Sequence, residues 1–121
     1  MLRTGIDLIE IERVRSLLER YGRRFLERVF TPQEIAELSE NAASLAGRFA
    51  VKEAVAKALG TGIGAVTWRE IEILRGPRRE PVLHLHGAAA SLASELGLVE
   101  WAISISHSQT DAVGMVVAKG K

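Results

Sequence analysis

Glu53 and Lys57 stand one helical turn apart in the run "LAGRFAVKEAVAKALGTGIG", Leu45 to Gly64, and Phe49 stands one turn before them. At 100° per residue these three form an i, i+4, i+8 ladder, with Lys52 and Ala56 beside it. Val51, Ala54, Val55 and Ala58 gather on the other side, a narrow face of small residues that permits close packing. Arg48, Lys52, Glu53 and Lys57 are therefore expected to crowd the outer side of one helix, with Phe49 among them. An aromatic ring is out of place on a solvated face, which predicts that a ligand or a second chain covers it. The plain alternative is a wet Glu–Lys pair contributing about 0.2–0.5 kcal/mol.

Asp7 lies among the aliphatic residues of "TGIDLIEI". An acid there is disfavoured by strand propensity and costly if buried alone. It either forms a salt bridge with Lys57 or an arginine, or joins Glu53 in a hard oxygen site. Two carboxylates, completed by waters and a substrate phosphate, suit Mg²⁺. Lys57 would then neutralise a phosphate oxygen beside the metal.

Other signals carry less. "GTGIG", Gly60 to Gly64, lacks the Lys-Ser/Thr of a P-loop and follows a helix instead of preceding one, though its backbone would let a flat ligand approach closely. His84 and His86 share one face of a strand, a transition-metal pair without a nearby Cys or acid cluster. "SISHS" ends on His107 without the G-x-S-x-G elbow of a hydrolase. Arg13, Arg15, Arg20, Arg23, Arg24 and Arg28 lie in one segment, diluted by Glu10, Glu12, Glu19 and Glu27. That segment reads as a helix face laced with ion pairs or as a docking face for carboxylates and phosphates.

The elements that must position these residues follow from periodicity and turn chemistry. A strand is expected from Thr4 to Ile9, then an amphipathic helix carrying Ile11, Val14, Leu17, Leu18 and Tyr21, interrupted by Gly22. A short helix holds Phe25, Leu26, Val29 and Phe30. "TPQE" predicts a capping box, with Thr31 as cap, Pro32 at the first position and Glu34 three residues on. The long helix is expected from about Ala43 to Leu59, stopped by Gly60. "WREIEILRG" predicts a half-buried strand with Ile71 and Ile73 inward and Glu70 and Glu72 outward, and "VLHLH" its partner after the turn "GPRREP". "GAAASLASELG" reads as a helix, and "VEWAISISH" and "AVGMVVA" as the last two strands. Helices gather early and strands late, which predicts an α+β fold with helices on an antiparallel sheet. The 121 residues suffice for a single domain, and 47% apolar with 26% charged residues is ordinary globular composition. No cysteine is present, no apolar run approaches a membrane span, and the N-terminus carries acids where a signal peptide would be uniformly apolar. A soluble, cytoplasmic protein is the expectation.

With these residues in place, the chain resembles the holo-[acyl-carrier-protein] synthases, the short branch of the 4′-phosphopantetheinyl transferase superfamily. "GIDLIEIERV", "FTPQE", "AGRFAVKEAVAKALGTGIG", "WREIEIL" and "SISHS" occur in the family's order and span nearly the whole chain. The central run is the specific one. The resemblance implies transfer of the 4′-phosphopantetheine of coenzyme A to a serine of apo acyl carrier protein, releasing adenosine 3′,5′-bisphosphate. By motif, Asp7 and Glu53 would be Mg²⁺ ligands and catalytic, and Lys57 would contact the phosphates and help in catalysis. Arg48, Phe49, Gly60, Gly62 and His107 would contribute to the coenzyme A pocket. The larger branch has a further metal carboxylate two residues after the aspartate. Ile9 stands there in this chain, so water would fill that coordination position.

The resemblance also implies a homotrimer with sites between subunits, which would cover Phe49 and the apolar strand "AVGMVVA". Carrier proteins are acidic, so Arg13, Arg20 and Arg24 are expected to dock the carrier. The serine would lose its proton to Glu53 or to a metal-bound hydroxide. The competing class is an arginine-rich RNA-binding or regulatory module, which would need aromatic stacking residues beside the basic segment. Only Tyr21 and Phe25 lie there, and no nucleic-acid or membrane partner is expected.

Overall fold

The computed structural model describes residues 1–121. β1 (Leu2–Glu10) runs directly into α1 (Ile11–Tyr21), and Gly22, at φ 53°, breaks the chain into α2 (Arg23–Val29). α3 (Pro32–Leu38) opens with the expected capping box: the Glu34 amide donates to Thr31 Oγ1 at 3.2 Å, and the Thr31 amide to Glu34 Oε1 at 2.9 Å. α4 (Ala42–Ala58) is capped by Asn41, whose side chain accepts from the Ser44 amide, and ends ahead of Gly60 at φ 85°. A 3-10 turn, Trp68–Glu70, leads into the hairpin β2 (Ile71–Arg75) and β3 (Pro81–Leu85). α5 (Gly87–Glu95), β4 (Leu98–His107) and β5 (Asp111–Gly120) complete the chain.

The fold is α+β, as expected, with its strands in two groups. β1, β5 and β4 form an antiparallel sheet with β5 at the centre, while β2 and β3 stand apart as a two-stranded sheet. α4 lies across the larger sheet and supplies residues to both apolar clusters of the interior. It comes close because the sheet has glycines under it. A Cβ at Gly5 would fall 1.9 Å from the Ala54 carbonyl oxygen, and one at Gly114 2.5 Å from the Val51 amide nitrogen. Strand glycines commonly mark such close backbone approach. Gly114 is also the register partner of Asp7, so the trough for the helix runs beside the strand acid.

From Leu45 to Ala58, every residue of α4 is buried except Glu53 and Lys57. This corrects the expected helix wheel. Arg48 and Lys52 do not lie on an outer face; both are interior, Lys52 completely so. Phe49 is buried too, with its ring centroid 4.6 Å from that of Trp68 and 6.5 Å from that of Phe25. The chain covers this ring itself, because α2 and the 3-10 turn close over the side of α4 away from the sheet.

The interior charges have one common task. The edge of β2 not paired with β3 leaves backbone groups of Ile71, Ile73 and Arg75 without a neighbouring strand. Four side chains take that strand's place. Lys52 Nζ donates to the Ile71 carbonyl at 2.5 Å, and Glu34 Oε2 accepts from the Ile73 amide at 2.9 Å. Arg48 donates to the Ile73 carbonyl, and Glu37 accepts from the Arg75 amide at 3.0 Å. Lys52 also bonds Glu34 at 2.8 Å and the Trp68 carbonyl at 3.0 Å. Burial draws the Lys52 ammonium below its ordinary pKa, and Glu34 holds against that. The strand's solvent side is likewise not open. Glu72 is buried, receiving a hydrogen bond from Thr31 Oγ1 at 2.5 Å and lying 3.0 Å from His86 Nε2.

Removing one member of a buried, hydrogen-bonded ion pair leaves the other uncompensated, at a cost of about 3–5 kcal/mol. Lys52→Met is therefore expected to lower unfolding free energy by that order in urea titration. Glu34→Leu in the same chain should recover little, because the Ile71 carbonyl and Ile73 amide then lose their partners as well. Near-parental stability of the double variant would show that the pair, and not the strand edge, matters.

Candidate active site

Of the two positions that stay open between Leu45 and Ala58, Lys57 is bonded to Asp7 and Glu53 is under that acid's charge. Gly5 and Asp7 share the helix-facing side of β1, so the close approach at Gly5 brings Asp7 under the last turns of α4. Lys57 Nζ lies 2.9 Å from Asp7 Oδ1 and donates to the Ile6 carbonyl at 3.0 Å. The pair is half-open, with side-chain exposures of 51% for Lys57 and 20% for Asp7.

Glu53 sits one turn back and takes part in none of the ion pairs. Its carboxyl is pushed above the ordinary range, first by burial and then by the negative charge of Asp7, against the pull of Lys57 and Arg13. The charge of Asp7 thus works against that of Glu53, with two cations beside it. The salt bridge expected for Asp7 is present, with Lys57 as its partner, and Glu53 lies within reach of the same acid's charge.

This donor set fits a hard divalent cation. Two partly open carboxylates that repel each other are relieved by a charge of +2, and their oxygens suit Mg²⁺. No third histidine, aspartate or glutamate joins them, so further ligands would come from water and substrate. Ile9 is buried and turned into the core.

The remaining expected site residues do not converge on this cluster within one chain. Arg48 and Phe49 are committed to the interior, as described. The amides of Gly60, Thr61 and Gly62 donate to carbonyls of Lys57 and Ala56, so the loop offers no cradle of free N–H groups. What stays open is the space above Gly62 and Gly64, where an added Cβ would meet nothing within 4 Å. His107 lies two strands away from β1, exposed, its Nδ1 donating to the Ser108 carbonyl at 3.0 Å. It lines a recess of about 270 Å³ with Leu8, Ser106, Ser108, Asp111 and Val113. His84 and His86 do not form a metal cluster with neighbouring acids.

Residues 3–109 match the family model of the 4′-phosphopantetheinyl transferase superfamily. The chain belongs to that superfamily. Its relatives place it in the short branch, with the holo-[acyl-carrier-protein] synthases. It is 47% identical to the holo-[acyl-carrier-protein] synthase of Herpetosiphon aurantiacus, over 99% of this chain and all of that protein. It is similar in structure to the Helicobacter pylori holo-[acyl-carrier-protein] synthase in complex with coenzyme A, with a TM-score of 0.88 and 33% identity over 96% of this chain and 99% of that one. The Bacillus anthracis holo-(acyl-carrier-protein) synthase in complex with coenzyme A (3′,5′-ADP) superimposes with a TM-score of 0.81 and 34% identity, over 98% and 96% of the two chains. The resemblance read from the motifs is borne out along the whole chain.

Sequence reading missed the residues that place the site. Gly5 and Gly114 were signalled only as glycines inside strands, which is where close backbone approach is expected. The clamp on β2 had a fainter signal: Glu34 and Glu37 at i,i+3 and Arg48 and Lys52 at i,i+4, opposite charges on two successive helices.

Proposed function

We infer that this chain is a holo-[acyl-carrier-protein] synthase: it transfers the 4′-phosphopantetheine of coenzyme A to a serine of apo acyl carrier protein and releases adenosine 3′,5′-bisphosphate. The observation that carries the assignment to a site is that Glu53 and Lys57 alone stay open along the buried stretch of α4, and both bear on Asp7. Residues 1–121 act as one domain in this reading, since α4 contributes to both apolar clusters.

Asp7 and Glu53 would hold Mg²⁺, which when bound neutralises negative charge on the pyrophosphate. The serine oxygen forms a new bond to the β-phosphorus, and the bond from that phosphorus to the leaving adenosine bisphosphate breaks. Such a transfer needs in-line positioning and charge neutralisation more than covalent help. The ammonium of Lys57 would meet a phosphate oxygen as charge moves onto the leaving group. Glu53, whose carboxyl burial and the charge of Asp7 push above the ordinary range, would take the serine proton. The absence of cysteine and the coenzyme A substrate suit the cytoplasm.

Assembly is the second part of the reading. Phe49 no longer supports it, being covered by its own chain. A different surface does: the sheet face turned away from α4 exposes Leu2, Ile6 and Leu8 of β1 and Met115 of β5, with Val113 and Val117 between them. We read this apolar face as the contact surface of the homotrimer, bringing a neighbour's His107 region towards Asp7 and Lys57. The carrier docks on α1 and α2. Arg15 and Arg23 pair with Glu12 and Glu27, whereas Arg13, Arg20 and Arg24 have no acidic partner within 4 Å. Arg24 and Arg28 rim a recess of about 400 Å³ floored by Leu17, Tyr21 and Phe25. The competing RNA-binding module keeps only one of its two stacking residues, Tyr21, since Phe25 is buried.

Mass spectrometry of apo carrier protein incubated with coenzyme A, Mg²⁺ and this protein tests the assignment; a phosphopantetheine increment is expected, and none would refute it. Asp7→Asn should abolish the increment at limiting Mg²⁺. Glu53→Gln should do the same while raising Tm slightly at neutral pH, because burial and Asp7 disfavour its charge in the folded state. A carboxyl raised on folding costs stability only above its unfolded pKa, so this gain should vanish in acid. A Tm gain that persists in acid would contradict the charge argument.

Sedimentation should show a trimer that Ile6→Lys converts to monomer; an active parental monomer would overturn the assembly. Charge reversal at Arg13 or Arg24 should raise KM for the carrier and flatten its salt dependence, with KM for coenzyme A nearly unchanged. Unaltered carrier kinetics would remove these arginines from docking.

A further inference from the structure

Lys57 is bonded to one of the two acids read as the metal pair. Its ammonium is bonded to Asp7 Oδ1 at 2.9 Å and to the carbonyl of Ile6 at 3.0 Å. β1 is an edge strand, paired only with β5, so the Ile6 carbonyl that receives Lys57 is one the sheet leaves over. Lys57 thus satisfies two oxygens of the same strand. It is half-exposed, and its flexible stem can release both without opening the core. The clamped residues on the same helix have no such freedom, since Lys52 has no exposed surface.

We infer that Lys57 is the resident counter-ion of the metal site: it holds Asp7 until a divalent cation displaces it, and the displacement is what frees its ammonium for the substrate's phosphates. The inference rests on the reading of Asp7 and Glu53 as the metal pair. A divalent ion on the Asp7 carboxylate would lie a few ångströms from the ammonium that holds its Oδ1, and the two charges repel, so Lys57 and the metal compete for Asp7. The competition is uneven. A divalent ion would bring twice the charge and would also draw on Glu53, which Lys57 leaves without an ion pair. Order of events follows from this geometry. Lys57 is withheld from the phosphates while the site is empty, so coenzyme A entering without metal finds the ammonium engaged and two carboxylates repelling its pyrophosphate.

Arg13 supplies the control, because its charge also reaches Glu53 but it has no ion pair with Asp7. Mn²⁺ binding to the full chain without coenzyme A, followed by loss of the free-ion electron paramagnetic resonance signal, reads the competition directly. Lys57→Met and Lys57→Gln are expected to tighten Mn²⁺ binding roughly tenfold, against about twofold for Arg13→Met, since contact and distant charges differ in this proportion at a half-open site. Asp7→Asn should remove the binding in every background. Tightening by Lys57→Met no greater than by Arg13→Met would overturn the counter-ion role and leave the metal site standing. Absence of any Asp7-dependent Mn²⁺ binding, in parent and variants alike, would overturn the metal pair and the counter-ion role together.

Discussion

α4 is buried on almost every side and still carries two cations inside, a combination that only the free edge of β2 makes tolerable. A backbone amide or carbonyl in the interior needs a partner, and so does an interior ammonium or guanidinium. Each solves the other's problem here. Lys52 and Arg48 present donors to the carbonyls of Ile71 and Ile73, while Glu34 and Glu37 present acceptors to the amides of Ile73 and Arg75. The alternation of acceptor and donor along an antiparallel ladder is reproduced by side chains from two helices. No buried side-chain nitrogen or oxygen is left without a hydrogen bond. Complete satisfaction is what turns a costly set of charges into a geometric constraint.

That constraint reaches the chemistry through rotation of the helix. Consecutive residues differ by 100°, so fixing Lys52 against β2 also fixes the direction of Glu53. On the opposite side, Gly5 and Gly114 set the depth at which the helix lies on the sheet. Rotation comes from charged clamps and depth from absent side chains. With both set, Glu53 and Lys57 emerge at the strip of surface where β1 offers Asp7. A substituent at Gly5 would lift the helix from the acid it must approach. The site is therefore held by residues that never touch it.

The elements were legible in the sequence, and the burial of their charges was not. The capping box at Thr31 and Glu34, the stop at Gly60 and the alternating strands follow from local rules, and the structure keeps them within a residue or two. Motif order also led to the family. The error lay in treating charge as a marker of solvent. A helical wheel sorts residues by type, and Arg48 and Lys52 were sorted outward because isolated cations are seldom buried. Glu34 gave no warning, since a capping-box glutamate is ordinarily a surface residue. It caps and clamps at once: Oε1 accepts from Thr31 and Lys52, and Oε2 from Ile73. Non-local pairing of this kind, across 18 and 39 residues, leaves no periodic trace. The Phe49 expectation failed for the same reason, as α2 and Trp68 return from elsewhere in the chain to cover it.

The strand that holds Asp7 joins the site to the face read as the assembly surface. Side chains alternate along a strand, so Gly5, Asp7 and Ile9 turn towards α4, while Ile6 and Leu8 turn away from it. A neighbour seated on Ile6 and Leu8 would therefore bear on the residues immediately before and after Asp7. The Ile6 carbonyl is bonded by Lys57, so the same residue touches the face read as the assembly surface with its side chain and the Lys57 ammonium with its backbone. Strand parity allows no independent adjustment of the two. A one-residue slip of β1 against β5 would send Asp7 to the apolar face and Ile6 into the helix trough. The glycines at 5 and 114 oppose such a slip, because any side chain brought under α4 at those points would strike its backbone. Register, helix depth and the position of the acid are consequently one constraint, met by one pair of strands.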